Sequence, residues 1–60
     1  MNSIAIIEDN IKKIEAEKVK SGINISILNV IEDERVECSN TFSKEQISDF
    51  IRKLQELNAL

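Results

Sequence analysis

The residues with the clearest chemical capacity lie near the middle of the chain. Glu32, Asp33 and Glu34 are consecutive acids, and Glu37 follows three positions later. Hard divalent cations prefer carboxylate oxygens, but a calcium-binding loop interleaves its acids with other residues and has a glycine at its centre. This run has neither feature, so we predict a solvated turn that holds no metal ion.

Cys38 is the other candidate for chemistry, as a nucleophilic or redox thiol. A reactive cysteine needs a base or a cationic neighbour to form its thiolate, and the chain contains no histidine. The strand pattern described below places Cys38 on an apolar face, so we expect a small buried hydrophobic side chain. We assign no catalytic, cofactor-binding or metal-ligating residue and expect no enzymatic activity.

The run at residues 4–10 has isoleucines followed by Glu8 and Asp9. It resembles the first strand and acidic pair of response-regulator receiver domains, and that resemblance implies Mg²⁺ beside a phosphorylated aspartate. The rest of the chain departs from that family, because no later strand end carries a phospho-acceptor aspartate and the later lysine is missing. We therefore predict that these acids lie in the first turns of a surface helix.

Length limits the chain to one domain, residues 1–60. A protein this short buries only about 60% of the surface that its unfolded chain exposes. Its single cysteine cannot form an internal disulfide, and the lack of histidine argues against a structural zinc site. Association with further copies remains as the way to complete a core, so we expect a homo-oligomer, dimeric or larger.

The net charge of −3 argues against a phosphate-backbone partner, which normally meets a basic face. No apolar run approaches the ~20 residues of a membrane span, and the amino terminus lacks the features of a signal peptide. We expect a cytoplasmic protein with a protein partner and neither a nucleic-acid nor a membrane partner. An alternative is a nucleic-acid-binding regulator whose local basic patch contains Lys12, Lys13, Lys18 and Lys20.

Residues 23–42 alternate in the manner of a β-hairpin. A two-residue loop at Asp33-Glu34 places Glu32 opposite Arg35, and a four-residue loop is the alternative. The two-residue loop puts most apolar residues on one face: Ile25, Ile27, Ile31, Val36, Cys38 and Phe42. Leu28 and Val30 fall on the other face, so we predict a partner or oligomer interface made of Leu28, Val30, Glu32, Asp33 and Glu34.

The first segment, residues 2–21, has isoleucines at helical spacing. They are Ile4, Ile7, Ile11 and Ile14. This predicts a helix capped by Asn2 or Ser3 and ended by Gly22. In the alternative, residues 3–7 form a short strand and a helix begins near Asp9, because Ile6 lies off the apolar stripe.

A capping box at Ser43 and Gln46 predicts the start of a second helix. Its apolar stripe is Ile47, Phe50, Ile51, Leu54 and Leu57. Phe42 precedes the cap and Ile47 is the N4 residue, a pair that is typical of a hydrophobic staple.

The predicted fold is therefore α+β, a helix-hairpin-helix (αββα) in which two amphipathic helices pack on one face of an antiparallel hairpin, completed by oligomerisation. The predicted function is a small non-enzymatic protein-interaction module, a regulator or inhibitor of a protein partner. Besides the nucleic-acid alternative, a small-ligand (nucleotide) binding protein with a pocket between subunits remains open.

Overall fold

The computed structural model describes residues 3–60 as four strands followed by one helix. The strands are β1 (Ser3–Glu8), β2 (Lys12–Val19), β3 (Gly22–Ile31) and β4 (Glu34–Phe42), and the helix is α1 (Lys44–Asn58). The strands form one antiparallel sheet in the order β1-β2-β3-β4, so each strand pairs with its neighbour in the chain. β1 and β4 are the sheet edges.

The prediction of an amino-terminal helix, and with it the αββα fold, is wrong. Residues 3–19 form the β1–β2 hairpin, and β2 pairs with β3 along its whole length. The alternative interpretation predicted a strand at residues 3–7, and this strand is present as β1. The helix that it placed after Asp9 is absent, and β2 occupies that part of the chain. Asn2, one of the proposed helix caps, lies outside the described residues.

A β-bulge in β1 explains why helical spacing was misleading. The register shifts between Ala5 and Ile7, which leaves Ile6 as the extra residue. In a regular strand Ile4 and Ile7 would point to opposite faces, but the bulge lets Ile4 pair with Ala16 and Ile7 with Ile14 on one face. A spacing of three is therefore compatible with a bulged strand as well as with a helix.

Gly22 begins β3 rather than ending a helix. It has a φ of 151° and is the one buried residue among residues 3–60. A Cβ at this position would overlap the backbone carbonyl oxygen of Phe42 on β4. Glycine is therefore required here both for its backbone conformation and for the close approach of β4.

The β3–β4 hairpin is present, but its turn is one residue earlier than predicted. Ile31 pairs with Glu34, and the loop residues Glu32 and Asp33 have φ values of 50° and 65°. Positive φ at both loop residues is the geometry of a type I′ turn, which matches the twist of the strands. The earlier turn shifts the register by two residues, so the predicted faces are retained.

The carboxy-terminal helix begins as the capping box predicts. The Ser43 hydroxyl accepts from the backbone N–H of Gln46 (3.2 Å), and the Gln46 side chain accepts from the backbone N–H of Ser43 (2.9 Å). These two bonds satisfy N–H groups that have no partner within the helix. The cap fixes the point at which the chain leaves β4 and crosses onto the sheet.

We expect Gly22→Ala to destabilise the fold by about 2 kcal/mol or more, because the added methyl group meets backbone that cannot move aside. Chemical denaturation at a fixed chain concentration measures the change. Ser21→Ala is the control, since Ser21 is exposed and adjacent. Equal stability of the two variants would contradict the close packing of Gly22 against β4.

Candidate interaction surfaces

One face of the sheet carries α1 and most of the isoleucines, and we call it the helix-side face. Directly paired residues of neighbouring strands point to the same side, which defines its members. Its apolar and cysteine residues are Ile4, Ile7, Ile14, Ala16, Ile23, Ile25, Ile27, Ile31, Val36, Cys38 and Phe42. Lys12 and Lys18 stand near the two ends of β2 on this face.

A groove of about 510 Å³ runs between α1 and the sheet on the helix-side face. Its sheet side is Ile25, Ile27 and Phe42, and its helix side is Gln46, Ile47, Asp49, Phe50 and Lys53. Phe42 and Ile47, the predicted staple pair, are both half-buried. The first half of α1 thus packs toward the sheet at β3, but a groove remains between them.

Much of this apolar surface is open to solvent. None of the hydrophobic side chains in residues 3–60 is buried. At opposite ends of the chain, Ile4 is 68% exposed and Leu57 is 66% exposed. Ile7, Ile27, Ile31, Val36, Phe50, Ile51 and Leu54 are also exposed.

The chain exposes more surface than a compact chain of the same mass. Globular proteins of 6.8 kDa expose about 4,000 Å², whereas this chain exposes 5407 Å². The radius of gyration is 13.1 Å, against about 10 Å for a compact chain of this length. The excess is about 1,400 Å², and the exposed isoleucines and leucines place much of it on the helix-side face.

The opposite side of the sheet, which we call the outer face, is mainly polar. It includes Lys13, Glu15 and Glu17 of β2 and Arg35, Glu37, Ser39 and Thr41 of β4. Leu28 and Val30 of the predicted interface lie on this face. Leu28 is half-buried and Val30 is 39% exposed.

Leu28 and Val30 line a second, smaller groove of about 290 Å³, the outer groove. Ile11 also lines it, and its carbonyl oxygen accepts from the backbone N–H of Val30 (2.8 Å). Polar and charged residues complete the lining: Glu8, Asp9, Asn10, Lys12, Lys13 and Arg35. The sequence analysis missed Ile11 because it assigned that residue to a helix, although the alternation of residues 13–17 is also compatible with a strand.

The acidic residues of the predicted interface stand at the end of the β3–β4 hairpin. Glu32 and Asp33 form the turn and Glu34 begins β4, and all three are exposed. Across residues 3–60, no three histidine, cysteine, aspartate or glutamate side chains cluster as a metal site would require.

The four lysines of the nucleic-acid alternative do not share a surface. Lys12 and Lys18 lie on the helix-side face, Lys13 lies on the outer face and Lys20 is in the β2–β3 turn. Lys13 pairs with Glu15 (3.2 Å) and Glu8 (3.4 Å). The hydrogen bond and charge of Glu15, followed by those of Glu8, raise the pKa of Lys13.

The acids that resemble a receiver pair lie at the β1–β2 turn rather than in a helix, since Glu8 ends β1 and Asp9 follows it. The Asp9 carboxylate oxygen Oδ1 accepts from the backbone N–H groups of Ile11 (2.9 Å) and Lys12 (2.8 Å). Those bonds, with that of Ile11 the larger effect, lower the pKa of Asp9. Asp9 therefore stabilises an Asx-type turn, and β2 begins at the end of that turn.

Cys38 lies on the helix-side face, as predicted, because it pairs with Ile27. The prediction that it is buried is wrong for the single chain, in which Cys38 is exposed. β4 is an edge strand, and Cys38 does not line the groove between α1 and the sheet. Its burial therefore depends on what covers the helix-side face.

Within residues 3–60, the helix is too short and too polar to cross a membrane. Comparison of the chain with protein-family models, curated proteins and solved structures gives no match.

We expect Asp9→Ala to lower the melting temperature at pH 7 and Asp9→Asn to lower it less, because asparagine retains the acceptor oxygen. A carboxyl whose pKa is lowered by folding stabilises the fold above its unfolded-state pKa near 4. That contribution disappears as the pH falls through the lower folded-state pKa. Melting curves at a fixed chain concentration should therefore show wild type and Asp9→Asn converging at low pH, and parallel curves at all pH values would contradict this role.

Proposed function

We propose that this chain is a non-enzymatic protein-interaction module that works as a homo-oligomer and regulates or inhibits a protein partner in the cytoplasm. The observation that carries the proposal is the exposed surface of 5407 Å², with no hydrophobic side chain buried in the described chain. Contiguous exposed apolar surface in a protein marks an interaction site. A chain with so little enclosed core gains most of its hydrophobic stabilisation by association.

The two faces suit two different roles. The helix-side face has the large apolar area that a permanent interface requires, and such interfaces resemble a protein core cut in half. The outer groove is smaller and is lined by both apolar and charged residues, a mixture that is typical of non-obligate interfaces. We assign self-association to the helix-side face and the protein partner to the outer groove, with the acidic hairpin tip beside it.

The residues of the outer face favour a partner that presents both apolar and basic side chains. Lys13 and Arg35 line the outer groove together with Glu8 and Asp9, while Glu32 and Asp33 add negative charge at the nearby tip. A partner that inserts an apolar side chain beside Val30 and presents basic residues toward the tip would match both features.

We expect the chain to have at least twice its 6.8 kDa mass in a light-scattering dilution series at micromolar concentration. The far-ultraviolet circular dichroism should weaken as dilution separates the copies, because the single chain has little core of its own. A mass of one chain with undiminished secondary structure at every concentration would contradict the proposal.

We expect Val30→Lys to remove partner binding while the oligomer persists, because a charge replaces the exposed apolar residue of the outer groove. Affinity capture from the native cell measures this, with wild type and Ser39→Lys as comparison baits. Ser39 is exposed on the same face, on the neighbouring strand. A protein retained by wild type and Ser39→Lys but lost with Val30→Lys is the expected result, and equal capture by all three contradicts the assignment.

A further inference from the structure

We propose that two copies join through their helix-side faces, with the second half of each α1 packed across the uncovered strands of the other sheet. This inference rests on the proposed self-association and adds its geometry and its number of copies. It requires three properties of the helix-side face: an apolar helix stripe that is exposed in the single chain, a sheet region that α1 does not cover, and enough apolar area for a stable dimer interface.

The stripe of α1 is only partly used within one chain. Ile47 near its start is half-buried against the sheet, whereas Leu54 and Leu57 are 48% and 66% exposed. An amphipathic helix turns its apolar stripe toward a core. The apolar stripe on the last two turns of α1 is therefore not buried by its own chain, and a second copy would have to supply the surface that buries it.

The uncovered sheet region offers that core. Ile4 and Ile7 of the edge strand β1 point to the helix-side face, and both are exposed. At the hairpin end of the same face, Ile31 and Val36 are also exposed. These sheet residues and the leucines of α1 are all apolar, so the helix of one copy can bury the exposed sheet residues of the other copy.

The area matches two copies. The excess of about 1,400 Å² per chain amounts to about 2,800 Å² in a pair, within the roughly 2,000–5,000 Å² buried by obligate homodimers. A two-fold axis makes the contact self-complementary, because each copy supplies both a helix and a sheet. Both helix-to-sheet contacts form in a pair, so the helix-side face has no further apolar patch to recruit a third copy.

The charged residues of the helix-side face stand near the ends of its strands, where Glu34 begins β4 opposite Ile31. Asp49 and Lys53 line the groove from successive turns of α1 with opposite charges. Lys12 and Lys18 stand near the ends of β2. A two-fold contact can therefore keep ionised groups at a hydrated rim, as stable interfaces do.

The experiment uses an equimolar mixture of a chain with ¹³C-labelled methyl groups and an unlabelled chain, and it records isotope-filtered NOE spectra of the wild-type protein. We expect interchain NOEs between the methyl groups of Leu54 or Leu57 and those of Ile4 or Ile7. Interchain NOEs confined to Leu28 and Val30 would overturn the inference, and so would NOEs confined to the edges of two β1 or two β4 strands. Those results would leave self-association intact, whereas a monomeric mass contradicts the proposed function itself.

A matched pair of variants gives a second readout. Leu54→Lys places a charge on the exposed stripe, and we expect it to raise the dimer dissociation constant at least about 30-fold. Ser48→Lys adds the same charge to the same helix, roughly 120° away around its axis, and should change the constant less than about threefold. Sedimentation measures both, and equal effects of the two substitutions would overturn the inference. If Leu54→Lys does not fold, the NOE experiment on the wild-type chain decides.

Discussion

The sheet has most of its isoleucines on one face, and one helix is too small to cover that face. α1 has 15 residues and is therefore about 22 Å long, with a diameter of about 10 Å including side chains. The chain as a whole measures 36 × 34 × 16 Å. Burial of apolar surface is the dominant favourable contribution to folding, so the uncovered part of the face is the feature on which both proposals depend.

Local backbone features keep the isoleucines on that face. The bulge at Ile6 brings Ile4 and Ile7 to the same side of β1, and the type I′ turn at Glu32-Asp33 pairs β3 with β4 in phase. Gly22 allows β3 to lie against the end of β4, just before the chain turns into α1. A one-residue error at any of these places would move apolar side chains to the outer face.

Polar interactions add specificity more than stability. The ion pairs of Lys13 and Arg52 are at the surface, where water and salt screen the attraction between the charges. The capping box and the Asp9 turn instead fix where α1 and β2 begin. Two faces of different character result, and this difference is the basis for assigning self-association to one and a protein partner to the other.

The candidate surfaces were only partly predictable from the residues alone. Alternation placed Leu28 and Val30 opposite the main apolar face, and that separation is retained because the turn moved by one residue and the register by two. The larger surface was missed, because Ile4 and Ile7 were assigned to a helix that would itself have covered the hairpin. Replacing that helix with two more strands doubles the sheet and removes half of its cover.

The amino-acid sequence by itself determined α1, through the Ser43 and Gln46 cap and the stripe that follows, and the face of each residue in the β3–β4 hairpin. Both depend on contacts a few residues apart or on a simple alternation. Only the tertiary structure decided the state of residues 3–19, because isoleucines spaced by three satisfy a helix or a bulged strand equally. The hydrogen-bonding edge of β3 selects the strand, and that edge is a property of the folded sheet rather than of the segment.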